Sequence, residues 1–344
     1  MSIKQQIARK GPVPFERFME LALYGPEGYF TTGPLRSEKS GDFLTSPEVS
    51  SMFGSTLAVF VERELERIGE PFVLIEVAGG SGTLLKPLLE SVPAQAWAVE
   101  VSPKARESMA GIVPEERIVT DLTRIPDPIR GVIIANEFVD NLPMAIAQMT
   151  DAGWRERWVG LDGDELTFLD HAVRREVEAW LSEYAGPVES GGWVEVQLDA
   201  AAWLRTALDR LVAGSVVLID YGDLAEGLAP RRRDGTLRTY RAHHLGPHPL
   251  DEPGATDITA DVNFSALEAV AASAGASVEL HRQDDFLASL GLRSRLASLR
   301  RQELELARRD QTLARLEIRS LIVEAETLLH PRGLGDFRVL VARK

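Results

Sequence analysis

The sequence predicts an α/β fold, an open and mostly parallel sheet with helices on both faces, and three observations carry that prediction. The first is the stretch Phe72-Val-Leu-Ile-Glu-Val-Ala-Gly-Gly-Ser-Gly-Thr-Leu-Leu85. Its apolar run at 72–75 suits a parallel strand buried on both faces, and the small residues at 78–82 end it before Leu84, Leu85, Leu88 and Leu89 take up helical spacing. The second is recurrence: further apolar runs end in polar residues, at 96–99 before Glu100, 117–119 before Asp121, 131–135 before Asn136 and 215–219 before Asp220. The third is a pair of strand-like segments late in the chain, 276–282 and 337–342, which bring the strand count to seven.

The glycine-bearing loop is where a ligand is expected, because Gly80 and Gly82 let the backbone approach it closely and tolerate positive φ. Two glycines alone also fit a purely structural turn. Glu76 adds chemistry, since a carboxylate at the mouth of the strand would repel a pyrophosphate but suits the ammonium of a ligand such as S-adenosylmethionine. Glu100 stands about 20 residues beyond the loop, where an acceptor for ribose hydroxyls is expected. Asp121, at the end of the third strand, is a candidate acceptor for the adenine amino group, with a helix cap or an exposed turn acid as the competing reading. Ala78, Val101, Leu122 and Asn136 complete the expected cofactor contacts.

A net charge of -14 argues against nucleic acid or an anionic membrane as the main partner and favours a cationic protein or a small molecule. The absence of cysteine excludes disulfides, thiol nucleophiles and cysteine-ligated zinc. His243, His244 and His248 lack the carboxylate and spacing of a catalytic metal centre, so no metal is expected. No stretch approaches a membrane span and the start lacks an apolar signal region, so a cytoplasmic location is expected.

Along the chain, Phe15, Phe18, Met19, Ala22 and Leu23 mark a core-packing helix stopped by Gly25-Pro26. A polar loop leads to Gly41-Asp42-Phe43, a candidate ligand lid, and Ser46-Pro47 reads as a helix start. Residues 145–168, split by Asp151-Ala-Gly153 and Asp162-Gly-Asp164, read as hairpins beside the main sheet. Glu195 is expected on an exposed strand face and Arg231-Arg-Arg233 in a solvated loop. Between the last two strands, Leu292, Leu296, Leu299, Leu306, Leu313 and Leu316 mark one apolar helical face, expected to bury on the parent domain, with a homodimer as the alternative.

Several of these segments carry a family resemblance. Phe18-Met19, Gly28-Tyr29, Gly41-Asp-Phe-Leu-Thr-Ser-Pro-Glu-Val-Ser50, Glu76 to Leu84, Val99-Glu-Val-Ser-Pro103, Asn136-Glu-Phe-Val-Asp-Asn-Leu-Pro143, Asp220-Tyr-Gly222, Gly235-Thr-Leu-Arg238 and Gln283 follow the order seen in the MidA-like methyltransferases. The chain resembles that family over nearly its whole length. The resemblance implies the class I methyltransferase fold, S-adenosyl-L-methionine as cofactor, and a protein arginine as acceptor, since the family's mitochondrial members are protein arginine methyltransferases acting in complex I assembly. Two departures stand out: Ala78-Gly79 replaces the family's usual Gly-Pro, and Asp261 occupies the place of a family histidine.

The organisation expected is an N-terminal helical cap and lid at 1–55, a first part of the core at 56–142, a β-hairpin insertion at 143–198, core again at 199–283, a helical insertion at 284–335 and the last strand at 336–344. An arginine guanidinium fits a carboxylate in a bidentate fork, so an acid is expected at the reacting end of the cofactor. Glu137 and Asp140 are best placed for it, with Asn136 shaping the loop and Asp42 arriving from the lid. The rival readings are a small-molecule methyltransferase and a cofactor-binding assembly chaperone with vestigial catalysis.

Overall fold

The computed structural model describes residues 2–32, 45–241, 244–309 and 311–344; the expected lid at Gly41, Asp42 and Phe43 and the side chain of His243 lie outside the described residues. The main sheet has seven strands, in chain order Val73–Val77, Gln95–Val99, Ile118–Val119, Ile129–Asn136, Leu211–Asp220, Ser277–Arg282 and Arg338–Arg343. Their spatial order is sixth, seventh, fifth, fourth, first, second, third, and the seventh runs antiparallel to both neighbours while the remaining pairs are parallel. The central strands are almost wholly apolar because both faces are covered. Helices Ser51–Ile68 and Leu85–Ser91 bury Phe53, Leu57 and Leu88 against one face, and Leu198–Arg210 and Phe264–Ser273 bury Leu204, Leu208 and Leu267 against the other. Strand order reverses between the first and fourth strands, so a crevice opens at their carboxyl ends, the usual ligand position in such sheets.

The hairpins expected at 145–168 belong to something larger. Ala145–Thr150, Gly153–Asp162, Glu165–His171 and Trp193–Val196 form an antiparallel sheet that also takes in Val13–Pro14 through Val159 and Trp158. Isolated hairpins are marginal in water, and this sheet gains an apolar core by receiving Phe15, Phe18 and Met19 of helix Phe15–Tyr24 against Met144, Ile146 and Val159. The N-terminal cap is thereby fixed at the crevice's edge.

The helical insertion comprises Gln283–Ser289, Leu292–Arg308 and Thr312–Leu328. Its expected single apolar face divides: Leu292, Leu296 and Leu299 are buried on the parent core, whereas Leu313 and Leu316 are 79% and 56% exposed. Two polar expectations are also corrected. Glu195 is buried, accepts the amides of Thr236 and Leu237, and pairs with Arg232 at 3.3 Å, so neither an exposed strand face nor a fully solvated basic loop exists there. Charged groups so deeply buried persist when paired. Asp261 pairs with Arg231 and with Arg238, the latter at 3.3 Å.

Candidate active site

A cavity of about 550 Å³ lies at the carboxyl ends of the strands. Of the residues singled out in the sequence, Glu76, Ala78, Gly80, Glu100, Val101, Asp121, Leu122, Asn136 and Glu137 line it. Gly82 and Asp140 do not, and Asp42 lies outside the described residues.

The glycine loop sets one wall. Gly80 has φ +53 and donates its amide to Glu100 Oε2 at 3.1 Å, while Ser102 donates to Glu100 Oε1 at 2.8 Å. Glu100 therefore clamps the loop to the end of the second strand, and each oxygen keeps a lone pair for a ligand hydroxyl. Burial holds its proton affinity above the usual carboxylate range despite those amides. Glu76 is buried with Oε2 lacking any partner among the described residues, and burial, then the nearby Glu100, push its carboxyl well up. An orphaned buried oxygen of this kind fits a cationic ligand group, as the ammonium of S-adenosylmethionine would be. Gly79 leaves room for these side chains, since a Cβ there would lie 2.4 Å from Glu76 Cδ and 2.3 Å from Met109 Cε and the two side-chain ends would have to shift. Ala78, in the departure from the usual Gly-Pro, takes φ +54, a left-handed conformation that costs a residue with a Cβ about 1–2 kcal/mol. Gly82 serves the turn at φ +79 and not the cavity wall. Asp121 both lines the cavity and accepts the Thr123 amide at 2.7 Å, so the cap reading and the ligand reading of this acid coexist.

The opposite end is built where the fourth strand stops. Glu137 donates its amide to Ile219 on the fifth strand and turns to φ +51. The turn is held by Asp220, whose Oδ2 accepts three consecutive amides, Phe138 at 3.2 Å, Val139 at 3.0 Å and Asp140 at 3.2 Å. Glu137 Oε1 receives the Ser46 amide at 3.3 Å and Asn136 Nδ2 at 3.2 Å, and Asn136 Oδ1 is buried without a partner among the described residues. Burial, with Asp140 and Glu48 nearby, raises the Glu137 carboxyl to about 8. Asp140 does not line the cavity, and its Oδ2 accepts Thr259 Oγ1 at 2.7 Å and the Tyr221 hydroxyl. Both hydroxyls arrive from distant segments and fall on Oδ2, while Oδ1 is buried without a partner among the described residues.

Sequence reasoning missed the cap's contribution. Tyr24 and Phe30 line the cavity, their rings stacked with centroids 5.6 Å apart, and the Tyr24 hydroxyl donates to Asn141 O at 3.1 Å. Thr45 and Pro47 follow from the short helix beyond, and Trp203 from helix Leu198–Arg210 packs edge-on against Phe138 at 5.0 Å. A tyrosine ending a helix just before Gly25-Pro26 was the available signal, but helical spacing alone assigned that helix to the core. Among the described residues no cluster of side chains suited to a metal ion occurs.

A family model described as S-adenosyl-L-methionine-dependent methyltransferase matches residues 56–281. The chain belongs to this family. Among curated relatives, mitochondrial protein arginine methyltransferase NDUFAF7 of Mus musculus is 31% identical over 86% of this chain and 74% of its own length. The Homo sapiens protein of the same name is 29% identical, covering 96% and 80%. A crystal structure from Burkholderia thailandensis, bound to S-adenosyl-homocysteine, superposes with a TM-score of 0.85 at 28% identity, covering 99% of this chain and 90% of that one. The MidA-like resemblance is thus substantiated, and the methyltransferase uses S-adenosyl-L-methionine as its methyl donor. No helix of the described residues is long and apolar enough to cross a membrane.

Proposed function

We propose that this methyltransferase transfers a methyl group to a guanidinium nitrogen of arginine in a protein substrate, with Glu137 receiving the acceptor. The observation that carries the proposal is that the cavity wall presents the Glu137 carboxylate beside Asn136, whose Oδ1 is buried without a partner among the described residues. Acceptor oxygens on two adjacent side chains of one wall suit a planar group with several N–H donors and no acceptor. The relatives named as protein arginine methyltransferases support the same acceptor.

In this reading Glu76 takes the ammonium of the cofactor, Glu100 its ribose hydroxyls and Asp121 its adenine amino group, with Ala78, Gly80, Val101 and Leu122 as the surrounding wall. Bound S-adenosylmethionine supplies an electrophilic methyl on sulfur. Glu137 holds the incoming guanidinium in line, and the acceptor's positive charge favours the ionised carboxylate although its own surroundings raise it to about 8. As the N–C bond would form and the methyl–sulfur bond break, with S-adenosylhomocysteine leaving, Glu137 would take the surplus proton of the methylated nitrogen. Asp140 and Asp220 hold the loop in shape through their bonds to the Tyr221 hydroxyl and to the amides of the turn. Tyr24 and Phe30 place two stacked aromatic rings on the wall of the same cavity.

Mass spectrometry of proteins methylated with isotopically labelled S-adenosylmethionine tests the assignment. Label on arginine is expected; label confined to small molecules or carboxylates would contradict it. Two further expectations belong to this proposal: a cytoplasmic location, tested by fractionation, and a homodimer through the exposed Leu313 and Leu316, for which Leu313→Lys should shift sedimentation from dimer to monomer. A basic or otherwise cationic protein partner, and not nucleic acid, is favoured by the net charge of -14.

A further inference from the structure

The acceptor carboxylate is contacted by a segment far away in sequence. Ser46 starts the short helix Ser46–Val49, is fully buried, and its amide is a hydrogen-bond donor to Glu137. A helix this short does not hold its own place, so its anchors matter. Gln283, also fully buried, donates through Nε2 to Ser46 Oγ at 3.2 Å and to Leu334 O at 2.9 Å, and its backbone amide donates to Phe337 O at 2.7 Å. It thereby ties the base of the last-strand hairpin to the helix. A second tie comes from the helical insertion, where Glu324 accepts the Ser50 hydroxyl at 2.8 Å. Thr45 and Pro47, on either side of Ser46, line the cavity.

We infer that Gln283 is a positioning residue of the methyltransferase: through Ser46 it holds a backbone N–H on the Glu137 carboxylate, and the helical insertion acts as the frame from which it does so. The inference rests on the reading of Glu137 as the acceptor carboxylate. Polar side chains in such places are usually buried for stability alone, and here geometry gives a distinguishing consequence. A donor aimed at a carboxylate favours its charged form, so removing the donor raises the pH at which Glu137 ionises. The charged groups facing Glu137 are Asp140 in its own turn, Asp220 at the end of the fifth strand and Glu48 on the Ser46 helix, all of one sign. Among the described residues Asn136 is the other donor to it, already engaged on the same oxygen, so loss of the Ser46 amide goes uncompensated.

The test is a carbon-13 NMR titration of side-chain carboxyls in the full-length protein, with the Glu137 signal assigned by its disappearance in Glu137→Gln. Gln283→Met keeps the length and removes the donor. Ser46→Pro removes the amide itself at a helix-starting position where proline fits, after Thr45 already extended at φ -87 and ψ 163. Both variants should raise the Glu137 midpoint by about half to one pH unit, with affinity for S-adenosylhomocysteine held within about threefold. If Gln283→Met loses cofactor binding or fails to fold, Ser46→Ala decides, since it severs only the side-chain tie; an upward midpoint upholds the inference. A midpoint unmoved in Gln283→Met, or in Ser46→Ala where that variant decides, overturns it. The titration needs no acceptor, so it fails separately from the proposed function, which fails on turnover by Glu137→Gln.

Discussion

At Glu137 one turn sets both conformation and charge. The φ of +51 costs about 1–2 kcal/mol for a residue with a side chain, and the three amides delivered to Asp220 hold it in place. Strain kept at a cavity wall accords with a functional position. In the cofactor half, Glu100→Ala removes the clamp on Gly80 and the expected ribose acceptor together. Calorimetry should find S-adenosylhomocysteine bound several-fold more weakly, consistent with a loss of about 1.5–3 kcal/mol for a hydrogen bond to a charged group. Gly79→Ala should fare worse, since its Cβ would meet Glu76 and Met109 at 2.3–2.5 Å, and no measurable binding is the expected result. Glu76, Glu100 and Glu137 were legible as acids at strand ends, where polar residues have no core to join. The bonding of Asp140 Oδ2 was not, because its partners Tyr221 and Thr259 lie roughly 80 and 120 residues away along the chain.

Among the elements, the turn after the fourth strand depends most on a single side chain. Asp220→Ala would leave the amides of Phe138, Val139 and Asp140 without their acceptor, each at about 1–3 kcal/mol where buried. Thermal unfolding should show a loss of several kcal/mol, and a near-neutral change would mean the turn is held by something else. The strands of the main sheet were legible because doubly buried strands write themselves as apolar runs. The insertion sheet was read only as hairpins because its pairing with Val13–Pro14 spans about 145 residues, which local alternation cannot reveal. The helical insertion misled in the other direction: one leucine period runs through both halves, but only Leu292, Leu296 and Leu299 reach the core.

For the whole molecule, the raised carboxyls have a consequence for stability. Glu137 ionises at about 8 in the folded chain against an ordinary value of 4.5, so the folded state holds more protons than the unfolded state between those limits. Its contribution is therefore greatest below 4.5 and declines as pH rises toward about 8; Glu76 and Asp220, raised by burial, act in the same direction. Glu64, lowered by its bonds with Arg67, Ser215 and Arg343 against the opposing effect of burial, acts in the opposite sense and loses its contribution in acid. Urea unfolding across pH 6 to 8.5 should show a decline that Glu137→Gln makes shallower by about 1 kcal/mol or more; an unchanged slope would mean the carboxyl is already ionised. Saturating S-adenosylhomocysteine, at about 100 times its dissociation constant, should add about 2.7 kcal/mol to the folded state if the cavity is the cofactor site.

The division of the cavity into a cofactor half and an acceptor half is most directly tested on one protein, Glu137→Gln, by calorimetry with S-adenosylhomocysteine and by turnover of a methylated protein substrate. Cofactor affinity should survive while turnover falls by about 10²-fold or more, the scale of losing a preorganised electrostatic contact. Turnover at the wild-type rate, or loss of cofactor binding together with it, would contradict the account.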